Sequence, residues 1–418
     1  MRARRFEWEG AEETAAALRA WAVETTPPVD VGEIFRQVVA RGDEALLELT
    51  AKFDAPGVES LRVDPADAEA ALAVVEPQLR AALEVAAANV RQVAEAQLGS
   101  DREVTLPAGQ TVKLREVPVA AAGIYAPGGR AAYPSSVLMC AIPAQVAGVE
   151  RVALASPPGP DGRLHPLVLA AAALCGLEEI YAIGGAQAIF ALAYGTESVI
   201  PVDVIAGPGN AWVREAKRAV YGQVGIDSLA GPSELMLIAG HDTDPEWAAL
   251  DLCAQAEHGP ESPLVVAAVE ENVLDDIAAA AERAASSRPS VADAPLGLVQ
   301  VRDVEEAIGL ANAYAPEHLE LLETDAAMMA DRVRTAGCVF VGRHGATAFG
   351  DYVAGSNHVL PTGGAGRYAG PLGPGAFRRR ISNVELTEAA ATELAPHVDA
   401  LARAEGFPVH GESAMIRR

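Results

Sequence analysis

The sequence predicts an α/β protein built from two tandem, incomplete Rossmann-like parallel-sheet domains, with a helical N-terminal region and a C-terminal arm. Two observations carry that prediction. From Val117 onward, short apolar runs at 117–125, 152–156, 179–183, 202–206 and 223–226 alternate with helical patterns near 135–147, 165–175, 186–194 and 211–221. Runs this short fit strands buried on both faces, and the strand-helix-strand rhythm calls for parallel pairing through right-handed crossovers. The rhythm then repeats, with strands near 234–239, 263–268, 297–301 and 338–342 and helices near 244–258, 272–286, 303–314 and 325–336.

Around this core the pattern changes. Residues 11–99 are rich in Ala, Leu and Glu with helical periodicity, interrupted at Thr25–Pro28 and near Phe53–Gly57. Val104–Leu114 alternates about a Pro-Ala-Gly turn and reads as a β-hairpin. A Gly-, Pro- and Arg-rich connection over 362–380 precedes a broken helical pattern at 384–405, and the chain ends in a segment carrying His410. A connection of that length is unusual inside one domain, so the C-terminus reads as an arm reaching a second copy of the chain.

Composition narrows the function. A formal charge of −25 over 418 residues disfavours nucleic-acid and anionic-membrane partners, and Arg378–Arg380 is a short basic patch. The four cysteines lack CxxC spacing and read as reduced core residues. No apolar segment of membrane-spanning length occurs, and no signal-like apolar region follows the basic opening, so a cytoplasmic location is expected.

Four glycine-rich loops, Gly123–Gly129, Gly184–Gln187, Gly207–Asn210 and Gly231–Glu234, are read as lying at the carboxyl ends of strands. Each suits close backbone approach to a phosphate, and each also suits a plain βα turn; none is a dinucleotide fingerprint, because Trp212 stands where a third glycine belongs. Ligands are expected at the carboxyl ends of the strands. Gln255 and His258 share a helix face just before the Gly259-Pro260 stop, a spacing open to metal ligation and to ordinary capping alike. Glu317-His318 follows Pro316 and offers paired general bases, and Asp351 with His358 supplies a carboxylate and imidazole suited to a borderline dication.

In combination, Gly123–Ser136, Ala206–Asn210, Ala230–Glu234, Gln255–His258, Ala315–Leu319 and Gly350–Thr362 resemble the histidinol dehydrogenase family, in its order and over almost the whole chain. The resemblance implies oxidation of L-histidinol through an enzyme-held aldehyde to L-histidine, with two NAD reduced in succession and one Zn2+ per subunit. It implies Gln255, His258, Asp351 and His410 as zinc ligands, the last supplied by the other subunit of a homodimer. It further implies Ser233, His318, His358, Glu405 and His410 around the substrate, with the zinc ligands. Tyr125, Gln187 and Asn210 would contact NAD, with His318 as general base and Glu317 activating water. The corresponding division is 1–27 as a helical arm, 28–122 with 231–360 as the catalytic and zinc-bearing domain, 123–230 as the NAD domain and 361–418 as the arm to the partner. Three other functions remain open to the same residues: a zinc hydrolase, a dehydrogenase of another polar alcohol, and a binding protein without turnover.

Overall fold

The computed structural model describes residues 1–22, 29–128 and 132–418. The expected break at Thr25–Pro28, the boundary at 27/28, Gly129 of the first glycine loop and the two residues after it lie outside them.

Two six-stranded sheets form the body. The first has spatial order Arg2–Phe6, Pro295–Gln300, Leu264–Ala268, Leu235–Ala239, His318–Leu322, Cys338–Val341, all parallel. The second runs Arg62–Val63, Glu179–Ala182, Arg151–Ser156, Ala121–Tyr125, Val204–Ala206, Gly225–Ile226, parallel except for the Arg62–Val63 edge. In each, the first strand of the α/β unit lies centrally and the chain winds first to one side and then to the other, a doubly wound order that agrees with the Rossmann-like parallel sheets expected. A three-stranded antiparallel sheet joins the hairpin Arg102–Thr105 and Thr111–Pro118 to Arg378–Glu385.

Side-chain alternation explains why these apolar runs sit centrally. Leu235, Leu237 and Ala239 enter one core while Met236 and Ile238 enter another on the opposite face, so all five residues are buried. Ala121 and Tyr125 divide likewise from Ala122 and Ile124 across the second sheet.

Four strands escape the sequence pattern, among them the two-residue edge Arg62–Val63 and Arg378–Glu385. Arg2–Phe6 is an arginine-rich sheet edge, where exposure leaves no apolar run to detect. His318–Leu322 conceals its character because two buried ionisable residues, His318 and Glu320, interrupt the run.

The hydrogen bonding also groups the chain differently from the expected division. Arg2–Phe6 pairs with Pro295–Gln300 and helix Ala11–Ala22 packs on Val304–Tyr314, so this segment completes the first sheet and is not a separate arm. Helices Gly32–Arg41, Pro65–Ala73 and Pro77–Ala96 pack on Gly185–Tyr194, Pro166–Leu174 and Pro134–Ala147, which places them with the second sheet. Helix Ala326–Ala330 is shorter than expected, and 378–385 is a strand. Helices Glu388–Ala404 and Pro408–Met415 pack against each other, leaving Leu401, Phe407, Val409 and Ile416 exposed.

Candidate active site

The reactive residues gather at the amino ends of the first sheet's strands, opposite to the carboxyl-end location expected. Leu235 and His318 are register partners on adjacent strands, so Ser233–Glu234 and Glu317–His318 meet where the winding changes direction. Helices Pro245–Ala256 and Thr347–Tyr352, which pack on each other, follow strands and return to this edge, bringing Gln255 and Asp351.

His318 is buried, and its Nδ1 donates to Glu234 O at 3.0 Å, which leaves the Nε2 lone pair free. Nε2 lies 3.6 Å from Asp351 Oδ1, while Nδ1 lies 3.4 Å from Glu317 Oε2. Burial pulls the His318 pKa down to about 3, the bond to Glu234 opposes this, and nearby His258 and His358 add to it. The ring is therefore neutral at physiological pH.

Glu317 Oε2 accepts from Ser233 Oγ and, at 2.8 Å, from Glu234 N. Burial raises its pKa well above the usual carboxyl range, against the lowering effect of those two donors. His358 donates from Nδ1 to Asp351 O at 2.8 Å, and its Nε2 is 3.2 Å from Ser136 Oγ. Its pKa is depressed to about 4, chiefly by burial.

The proposed zinc donors can be tested against their surroundings. Gln255 Nε2 donates to Ser233 Oγ at 2.6 Å, but its buried Oε1 has no hydrogen-bond partner among the described residues. An orphaned amide oxygen at such a depth is costly unless something electropositive meets it. Asp351 is lifted to about 7 by desolvation, and desolvation lowers the His258 pKa. Amide oxygen, carboxylate and imidazole together suit a borderline dication. Among the described residues no group of three His, Cys, Asp or Glu converges as a metal cage. The expected set offers only His258 and Asp351 of those types within this region of the chain. Glu405 and His410 are exposed on the C-terminal helices, where the His410 ring faces Phe407 at 5.6 Å, and the fold of one chain does not bring them into the cluster.

Tyr125, Gln187 and Asn210 line one cavity of about 630 Å³ beside the second sheet. Tyr125 Oη accepts from Gly185 N at 3.0 Å, and Asn210 Oδ1 caps helix Ala211–Val220 through Trp212 N and Val213 N. Gly207 belongs to the same turn, and a Cβ there would stand 2.1 Å from Tyr125 O, so only glycine fits. Asp54 lines the cavity too, 3.5 Å from Gln187 Nε2, with its pKa raised to about 6 by burial. Lying in the break at Phe53–Gly57 where a helix ends, far in sequence from the four glycine loops, it carried no signal of a ligand. His165, also without a nameable role in the sequence, lines the cavity and caps helix Pro166–Leu174.

Beneath the cluster, Glu320 Oε1 accepts from Thr347 N at 2.7 Å and Oγ1 at 2.6 Å, and the Asp251 carboxyl is within hydrogen-bonding reach. Two carboxyls can bond only through a proton. Burial and then the Asp251 charge push Glu320 up to about 8, and burial raises Asp251 to about 6. A raised acid pKa stabilises the fold below the unfolded value and loses that contribution as pH rises through the folded one. Stability should therefore decline between roughly pH 4.5 and 8. In Glu320→Gln, urea midpoints should vary less over this window; an unchanged slope would show that the pair is not protonated.

The match to known proteins covers this whole arrangement. The histidinol dehydrogenase family profile matches residues 22–418. A histidinol dehydrogenase from Synechococcus sp. is 46% identical over 403 residues, covering 93% of this chain and 91% of the relative. That of Cereibacter sphaeroides is 44% identical over 418 residues, covering 98% and 96%. The crystal structure of histidinol dehydrogenase from Elizabethkingia anophelis superposes with a TM-score of 0.92 at 32% identity, covering 100% of this chain and 98% of that one. The chain belongs to the histidinol dehydrogenase family.

Proposed function

We propose that the protein is a cytoplasmic, zinc-dependent histidinol dehydrogenase of L-histidine biosynthesis. It oxidises L-histidinol through L-histidinaldehyde to L-histidine, a four-electron change that reduces two NAD. The observation that carries this reading is the meeting of a neutral, buried His318 with Glu317, Asp351, His258, His358 and the partnerless Gln255 oxygen in a chain of this family.

Gln255, His258 and Asp351, with His410 from a second copy in a homodimer, would hold Zn2+. When bound, the metal would supply a charged anchor for the substrate's amino and imidazole nitrogens. His318 Nε2 takes the hydroxyl proton as hydride leaves the carbinol carbon; Tyr125, Gln187 and Asn210 would hold the NAD that, when bound, would supply the hydride acceptor. The imidazolium so formed lies 3.4 Å from Glu317 Oε2 and 3.6 Å from Asp351 Oδ1, and its charge in turn favours the ionised form of both carboxyls. For the second oxidation, Glu317 in its ionised form removes a proton from water as it adds to the aldehyde, while the His318 imidazolium returns its proton to the carbonyl oxygen; His318, neutral again, then accepts a hydroxyl proton of the resulting gem-diol as the second hydride leaves. Ser233 orients Glu317, His358 contacts the substrate, and Glu405, exposed in its own chain, would reach the substrate of a second copy together with His410.

Incubating the purified protein with L-histidinol and NAD should raise NADH absorbance, chelation should abolish the rise, and added Zn2+ should restore it. No NADH would overturn the dehydrogenase reading, and full activity in a demonstrably metal-free sample would overturn the zinc assignment.

A further inference from the structure

We propose that Arg19 and Glu234 are positioning residues, a buried ion pair that holds Glu317 and His318 in working geometry. The proposal rests on the reading of Glu317 and His318 as the reacting pair.

Arg19 comes from the N-terminal helix and meets Glu234 in a two-pronged contact, NH1 to Oε1 at 2.6 Å and NH2 to Oε2 at 3.1 Å. Glu234 is 2% exposed. Its main chain holds both reactive side chains: N–H donates to Glu317 Oε2 at 2.8 Å, and the carbonyl accepts His318 Nδ1 at 3.0 Å and His318 N at 3.2 Å. The carboxylate is thus fastened at the same residue whose peptide groups orient the general base and select its tautomer. Gly363 N, donating to Glu234 Oε1 at 2.9 Å, fastens it from another side.

The same guanidinium secures the other approach to the dyad. Helix Val304–Tyr314 ends at Ala315, whose φ of 50° makes it the one non-glycine residue with positive φ among those described. A helix end leaves carbonyls without partners. Arg19 satisfies two of them, donating to Tyr314 O at 2.6 Å from NH2 and 3.2 Å from Nε, and to Ala315 O at 3.4 Å, while stacking 4.0 Å over the Tyr314 ring. Glu317 and His318 follow immediately. One planar, five-donor group therefore ties the turn that delivers the dyad to the strand that orients it, a task for which a lysine ammonium lacks the geometry.

The test uses full-length, zinc-loaded Arg19→Met, Arg19→Lys and Glu234→Gln, each checked for wild-type circular dichroism and metal content. Misplacing a catalytic group by about 1 Å can cost about a hundredfold. Arg19→Met and Glu234→Gln should lower kcat at least about tenfold, shift the pH–rate profile and leave KM for NAD unchanged, with partial recovery in Arg19→Lys. If Arg19→Met fails to fold, the other two variants decide. Folded variants with wild-type kcat and pH profile would overturn the proposal, as would losses confined to KM for NAD. A His318→Gln control separates the premises: wild-type activity there overturns the dyad reading, whereas an inactive control beside active Arg19 and Glu234 variants overturns the clamp alone.

Discussion

Replacing His318 with Gln should reduce both oxidations by about 10²- to 10⁴-fold, the usual contribution of a positioned general base. The side chain's Nδ1 is committed to Glu234 O, so Nε2 alone can take a substrate proton, and an amide of similar size cannot substitute for it. With its pKa depressed to about 3, chiefly by burial, His318 should add no acid limb near neutrality to the wild-type profile of kcat/KM. Glu317→Gln should behave differently. In the proposed mechanism the residue is needed only when water adds, so histidinaldehyde oxidation should fall much further than histidinol oxidation in single-turnover assays. Equal losses in both half-reactions would show that Glu317 and His318 do not divide the work.

Mixing inactive His318→Ala subunits with inactive His410→Ala subunits should regain activity, because a site shared between chains is intact once in each mixed dimer. His410 lies on an exposed helix with Phe407 and Val409, and the adjacent helix leaves Leu401 exposed, so the arm has an apolar face free for a partner. Random exchange of equal amounts should restore about a quarter of wild-type activity per subunit, since half the dimers are mixed and each holds one working site. Absence of recovery after proven exchange would place His410 in the site of its own chain.

Much of the site was legible because its residues stand in short local motifs. Glu317-His318 after Pro316, and Gln255 three residues before His258, keep their chemistry in adjacent letters. Arg19, Asp54, Ser136 and the Asp251–Glu320 pair were not assigned roles. Arg19 reaches Glu234 across 215 positions, and Glu320 reads as one more polar residue until burial gives it a raised pKa. Nor could spacing reveal that the cluster occupies the amino edge of its sheet, since that follows from helices returning beside their own strands.

Two parallel α/β units could be read from the amino-acid order alone, because apolar runs of strand length separated by helical periods have few other ways to bury their surface, whereas the doubly wound strand order came with the fold. The sequence also determined which residue types were available for proton transfer and metal binding. Only the tertiary structure decided which of them meet, which lose water and which therefore change their protonation. Desolvation and hydrogen-bond geometry depend on neighbours brought from distant positions, and those neighbours are set by packing rather than by order along the chain.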